Sequence, residues 1–160
     1  MTKETISPPT NKELFLTQEF IPLLKKLKGD EKGNWGVLSP QGMIEHMTDS
    51  IGVAWGRIVH PVHTDENLLM KFRDFALSEK EFKPNTINAL MDETPPPLRN
   101  QNITEAIAEL EKEIEFLQIF HKAKPDAIIT NPFFGDFNYK QWIHLLHKHA
   151  IHHLKQFNLI

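Results

Sequence analysis

One segment in the second half of the chain has the regular apolar spacing of a long packed helix. Its apolar residues alternate spacings of three and four, as the buried face of a bundle helix does; they are Ile107, Leu110, Ile114 and Leu117. Asn102, with Glu105 three residues later, has the pattern of a capping box and predicts where this helix begins. The sequence has no sustained period-two run, although residues 127–130 suit a brief extended segment. The prediction is an all-α protein without a sheet.

Three further long helices follow from N-terminal caps and helical spacing. They are predicted over residues 11–27, 42–58 and 139–157, after the caps Thr10, Ser39-Pro40 and Asn138. Pro22 should kink the first of them or make its last turns irregular, and Pro61 should end the second. Four long helices result, with the last carrying most of the histidines.

A long connection separates the second and third long helices. We predict a short extra helix over residues 68–77, followed by an irregular stretch over 82–100 that contains four prolines. Phe72, Phe75 and Phe82 either line an apolar pocket or pack the connection against the helices, and packing is the preferred interpretation.

Composition excludes several classes of function. The 160 residues suit one domain, 1–160, and a net charge of -3 without a basic block argues against nucleic acid as a partner. No apolar run approaches the roughly 20 residues that span a bilayer, and the polar first ten residues do not form a signal peptide, so a cytoplasmic protein with no membrane partner is expected. The chain has no cysteine, so any metal must bind nitrogen or oxygen.

Histidine is the strongest bias in the sequence, with five of nine between His144 and His153. His149 and His153 are four apart on the last predicted helix and therefore lie on one face within about 40° of each other. That face also carries apolar residues, with both histidines well inside it, whereas His144 and Lys148 are expected on the opposite face. Two imidazoles on an apolar face are hard to satisfy, and a divalent ion that accepts both lone pairs resolves the conflict.

A catalytic site of the zinc type takes three protein ligands and leaves one position open. His46, at the edge of the apolar arc of the second helix, is the candidate for the third ligand. From the residues alone, a structural role for His46 and a chance spacing of the other two remain open alternatives. The other histidines are interpreted as surface or loop residues: His60, His63, His121, His144 and His147.

Two segments resemble the DinB/YfiT-like superfamily of proposed metalloenzymes. The first is LSPQGMIEHM at residues 38–47, preceded by Trp35-Gly36, and the second is KHAIHHLKQF at 148–157. The second contains the pattern H-x-x-H-H-x-x-Q, and NPFFG at 131–135 precedes its helix. Similarity in character covers nearly the whole chain.

The resemblance implies an antiparallel four-helix bundle with a long connection between its second and third helices, often as a homodimer. It implies nickel, zinc or a similar divalent ion bound by His46, His149 and His153. His152 and Gln156 also match the motif, which suggests that they orient the ligands from outside.

The resemblance further implies a metal-dependent enzyme that acts on a small-molecule substrate. The leading hypothesis is a transferase that uses a low-molecular-weight thiol. The alternatives are a metal-dependent hydrolase, and a non-enzymatic stress-related binding protein whose metal site is structural or vestigial. Glu45 and Asp49 neighbour His46 but lie on other sides of the helix, so no general base is identified and the catalytic residues stay open.

Overall fold

The computed structural model, which describes residues 9–86 and 88–160, contains five helices and one two-stranded hairpin. The helices are α1 (residues 11–24), α2 (Pro40–Ala54), α3 (Glu66–Leu77), α4 (Ile103–Ala123) and α5 (Tyr139–Gln156). The strands β1 (Ile129–Asn131) and β2 (Gly135–Phe137) lie between α4 and α5. The described residues are therefore mostly helical, as predicted, and none of their helices has both the length and the apolar content needed to cross a membrane.

Helix α1 contains the irregularity predicted from Pro22, but one turn earlier. Residues Phe15–Glu19 form a π-helical turn between two α-helical parts, Asn11–Leu14 and Phe20–Leu24. A proline ring clashes with the carbonyl four residues before it, and a wider turn at that place accommodates the ring. The helix ends at Leu24, three residues before the predicted end.

Helix α2 begins at Pro40 behind the Ser39 cap and ends at Ala54, four residues before the predicted Ile58. Gly56 has a φ of +85°, in the left-handed region that ends many helices, and its N–H donates to the carbonyl of Val53 at 3.2 Å. Pro61 therefore plays no part in ending this helix. A left-handed glycine beyond the last turn is the stop signal.

The four long helices contact one another around a shared apolar core. Helix α2 packs along α4, helix α5 contacts α1, α2 and α3, and α1 also contacts α4. The predicted seam of α4 is confirmed, because all four of its members are buried: Ile107, Leu110, Ile114 and Leu117. The largest fully buried side chains come from several elements: Phe20, Met43, Leu110, Phe137 and Trp142.

The hairpin contradicts the expectation that no sheet would form. Asn131 accepts hydrogen bonds on Oδ1 from the N–H groups of Phe133 (2.8 Å) and Phe134 (3.1 Å), and Gly135 follows with a φ of +81°. Strands of three residues are too short to show a period-two pattern, so the turn residues were the readable signal. The indole of Trp142 donates to the carbonyl of Ile129 at 3.0 Å and fixes the hairpin to α5.

The face of α5 predicted to lie opposite the core is covered by α3. Lys148 is only 7% exposed, and its Nζ donates to the carbonyl of Phe75 at 2.6 Å and lies 4.5 Å from that ring's centroid. His144 contacts the carbonyl of Ser78 through Nε2 at 2.8 Å. The last carbonyls of a helix lack intrahelical donors, so these side chains satisfy the C-terminal end of α3.

His121 was predicted at the surface and is instead 2% exposed. Its Nε2 lies 2.9 Å from the carbonyl of Ala54, and its ring stacks on Tyr139 with centroids 4.7 Å apart. Near the end of α4 this side chain turns inward beneath the end of α2. His121 lies four residues after Leu117 and continues the alternating spacing of the α4 seam, so the spacing already indicated this inward direction.

Candidate metal centre

Two well-capped helices carry the three candidate histidines. Helix α2 positions His46, and its cap Ser39 accepts on Oγ a hydrogen bond from the N–H three residues later at 3.0 Å. Helix α5 positions His149 and His153 and begins with a complete capping box at Asn138. The three candidate ligands thus lie on two helices that share the core.

The structure brings His46, His149 and His153 together through their Nε2 atoms. The Nε2 of His149 lies 3.0 Å from that of His46 and 2.9 Å from that of His153, and all three ligand atoms lie within 4.8 Å of one another. Two imidazole nitrogens bound to one ion at about 2.0–2.1 Å are separated by roughly 3.0–3.4 Å. The cluster therefore fits a shared divalent ion, and these three residues could hold one.

A hydrogen bond to Gln156 determines which nitrogen of His153 carries its proton. Gln156 donates from Nε2 to the carbonyl of Trp35 at 2.8 Å, so its Oε1 faces His153 and accepts from Nδ1 at 2.7 Å. The proton lies on Nδ1, and the Nε2 lone pair points toward His149. Gly36, with a φ of +77°, lets the loop approach so closely that a Cβ there would lie 3.0 Å from the Gln156 amide nitrogen.

Burial keeps all three imidazoles neutral near pH 7. His153 is buried, whereas His46 and His149 are half-buried, although His149 was predicted well inside the apolar face. Burial lowers the pKa of His46 to about 4, with nearby Asp49 opposing the shift, and lowers the pKa of His153 to about 3. Burial and the neighbouring imidazoles hold the pKa of His149 well below its usual range. Neutral imidazole is the form that binds a metal.

His152, the middle histidine of the motif, lies beside the cluster. Its ring centroid is 5.1 Å from that of His153, and its Nε2 accepts a long hydrogen bond of 3.4 Å from the indole of Trp35. His152 contributes no nitrogen to the cluster, whose members are His46, His149 and His153. Trp35 therefore contacts both His152 and Gln156, the two motif residues without a predicted ligand role.

Phe82 reaches the site from the long connection. Its ring lies edge-on to His149 and His152, with centroids 6.2 Å and 5.9 Å away. The preferred interpretation of Phe82 as loop packing is incomplete, because the same ring that packs on Phe75 also contacts the histidines. No spacing in the sequence could indicate this contact, which depends on the path of the connection.

The two carboxylates nearest His46 in sequence are engaged elsewhere. Glu45 accepts hydrogen bonds from the backbone N–H groups of Arg99 (2.8 Å) and Asn100 (3.2 Å). Asp49 pairs with the Arg99 guanidinium at 3.1 Å. These bonds secure the end of the long connection against α2, in keeping with the expectation that neither carboxylate serves as a base at the cluster.

Comparison with known families gives one match that covers most of the chain. A family model for the DinB superfamily matches residues 17–157. No curated protein and no solved structure matches the chain. The matched range contains all three histidines of the cluster together with Trp35, Phe82 and Gln156.

Proposed function

Because the chain belongs to the DinB superfamily, we propose that it is a metal-dependent enzyme whose divalent ion is held by His46, His149 and His153. The observation that carries this proposal is the convergence of three Nε2 atoms from two helices, with separations of 2.9 and 3.0 Å along the cluster. Three imidazoles leave a position open, which is the arrangement of a catalytic centre. Nickel and zinc both suit such a ligand set.

The framework we propose around this centre is one domain over residues 1–160, with α1, α2, α4 and α5 as an antiparallel four-helix bundle. In support, α5 contacts α1 and α2, and α4 contacts the same two helices. Metal sites of such bundles lie between facing helices, as α2 and α5 are here. Helix α3 packs on the outer face of α5, within the long connection between α2 and α4.

The reaction we propose is the transfer of a low-molecular-weight thiol to a small electrophilic substrate. A bound divalent ion supplies Lewis acidity that lowers the pKa of a thiol. The sulfur forms a bond to an electrophilic carbon, the leaving group departs with its bonding pair, and the thiol proton passes to solvent. Gln156 holds the proton of His153 on Nδ1, so the Nε2 lone pair stays available for the ion.

One observation favours a second candidate, a binding protein whose ion is structural. Glu45 and Asp49 are occupied by Arg99 and Asn100, so these neighbouring carboxylates are not free to move protons. A structural ion makes folding depend strongly on metal, whereas loss of an ion from an open catalytic site lowers the melting temperature modestly. Thermal melting with and without chelator distinguishes the two.

Metal analysis of purified protein tests the proposal first. We expect about one divalent ion per chain, because the cluster offers one set of three ligands. His46→Ala and His149→Ala should each lose the ion and remain folded, whereas His60→Ala, at an exposed histidine outside the cluster, should retain it. Protein that binds no divalent metal at micromolar concentration would refute the metal centre.

The reaction is tested on metal-loaded protein with electrophiles and each major cellular thiol. Conjugate formation should require both the ion and His149, as measured by mass spectrometry of the product. Hydrolysis of ester and amide substrates in the same assay would indicate the hydrolase instead. Retained metal without turnover in either assay would favour the binding protein.

A further inference from the structure

Phe82 forms an aromatic wall beside the candidate metal centre. Its ring is edge-on to His149, with the planes at 69°, and edge-on to His152, with the planes at 76°. Phe82, His149 and His46 are all half-buried, so this contact lies near the surface of the protein. A ligand that reached the Nε2 atoms from this side would pass within contact distance of the Phe82 ring.

A short segment fixes the position of this ring. We call residues 78–82, which follow α3, the strap. Phe82 packs against Phe75 of α3 with centroids 5.5 Å apart, and the carbonyl of Phe75 accepts from Lys148 on α5. The apolar end of the strap is thus anchored to the same helix that carries His149 and His153.

The polar part of the strap is held by contacts on both sides. Glu79 pairs with Lys12 at 3.0 Å, and Glu81 pairs with Lys155 at 2.6 Å. Both glutamates are exposed, and ion pairs at the surface contribute little to stability. The packing of Phe82 on Phe75 therefore holds the ring in place, and the two ion pairs add little to it.

We propose that Phe82 is a specificity-determining residue that sets the size of the ligand admitted to the ion. This inference rests on the proposed metal centre. Slim thiols pass beside the ring, whereas a thiol with a bulky group has to displace it and lose its packing on Phe75. The wall thereby selects small, unbranched thiols over bulky ones.

The test uses cobalt(II)-loaded protein titrated with 2-mercaptoethanol and with benzyl mercaptan, followed by the sulfur-to-cobalt absorption band. Wild-type protein should bind the small thiol at least about tenfold more tightly than the bulky one, the scale of discrimination that a pocket wall provides. Phe82→Ala should remove that preference by strengthening benzyl mercaptan binding about tenfold, with little change for 2-mercaptoethanol.

Phe72→Ala is the matched control, because it also removes a phenyl ring, from α3 at a position that is 39% exposed. The thiol preference of this variant should equal that of the wild type. Phe82→Leu keeps apolar bulk and should give an intermediate preference, which also covers the case in which Phe82→Ala fails to fold. If the wild type and the Phe82 variants bind cobalt and show the same preference between the two thiols, this inference alone would be overturned. Failure of the wild type to bind cobalt would overturn the metal centre and this inference with it.

Discussion

Replacement of Gln156 by Leu should weaken metal binding without unfolding the protein. In the wild type, Oε1 of Gln156 holds the His153 proton on Nδ1 through a 2.7 Å hydrogen bond. Leucine has nearly the same volume but no acceptor. In the metal-free variant, the proton can therefore move to Nε2 of His153, which lies 2.9 Å from Nε2 of His149. That tautomer cannot bind an ion.

The expected loss of metal affinity follows from the missing hydrogen bond between His153 Nδ1 and residue 156. The ion has to restore the binding tautomer and leave a buried Nδ1–H unpaired, which costs about 1–3 kcal/mol. This cost agrees with the roughly 10–100-fold loss of affinity typical when a partner of a metal-ligating histidine is removed. We therefore expect a dissociation constant about 10–100 times higher for the variant.

The assay is competition for zinc against a chromophoric chelator, with circular dichroism to verify the fold. Gln156→Glu retains an acceptor for Nδ1–H and should lose less affinity than Gln156→Leu, a rescue that packing alone would not produce. Gln101→Leu makes the same exchange at an exposed position and should bind zinc like the wild type. Equal zinc affinity in Gln156→Leu and wild type would show that Gln156 does not control the tautomer.

Two further predictions concern the elements around the centre. Burial raises the pKa of Glu45, but hydrogen bonds from Arg99, Gln41 and Asn100 outweigh burial and hold the pKa below its usual range. The ionised carboxylate therefore stabilises the fold above pH about 4.3, and this stabilisation is lost as the pH falls through the folded-state pKa. Glu45→Gln should lower the free energy of unfolding by about 1–3 kcal/mol at pH 7. In urea denaturation this difference from the wild type should shrink as the pH falls below about 4.3, and a difference that stays constant with pH would contradict the reasoning. Lys148→Met keeps the packing on Phe75 but loses the hydrogen bond to its carbonyl, so it should lower the unfolding free energy by about 1–2 kcal/mol. Lys140→Met, at an exposed position, should leave the unfolding free energy unchanged. Greater stability of Lys148→Met would show that burying the charge costs more free energy than the hydrogen bond contributes.

Local signals in the sequence were sufficient for most of the helices. The alternating seam of α4 and the caps Ser39, Asn102 and Asn138 act within a few residues, and the structure has each of them where it was predicted. The pair His149 and His153 follows from helical geometry, but the approach of His46 depends on the packing of α2 against α5. Its place at the edge of the apolar arc made His46 a candidate, with a structural role left open, and the motif resemblance then singled out the same residue.

Long-range contacts account for what was missed. Lys148 and His144 lie on the polar side of a helical wheel. In the structure the C-terminal end of α3, about seventy residues earlier in the chain, packs against them, and they contact its last carbonyl groups. Phe82 likewise acquires its surroundings from elements distant in sequence. His121, in contrast, continues the alternating spacing of the α4 seam, and that local signal was overlooked. The hairpin was missed because its strands have only three residues each and show no period-two pattern. The turn residues at 131–135 were the one signal of the hairpin in the sequence.

The position of His149 between two other imidazole nitrogens has a consequence for the abundance of the protein. Its Nε2 lies about 3 Å from both of them, and a single ring N–H can satisfy only one of these contacts, whereas the proposed divalent ion would bind all three nitrogens. Binding to the native state alone adds about 2.7 kcal/mol when free ion is a hundred times the dissociation constant. The abundance of the folded chain would then follow the metal supply of its surroundings, and starvation for the ion would expose the protein to degradation.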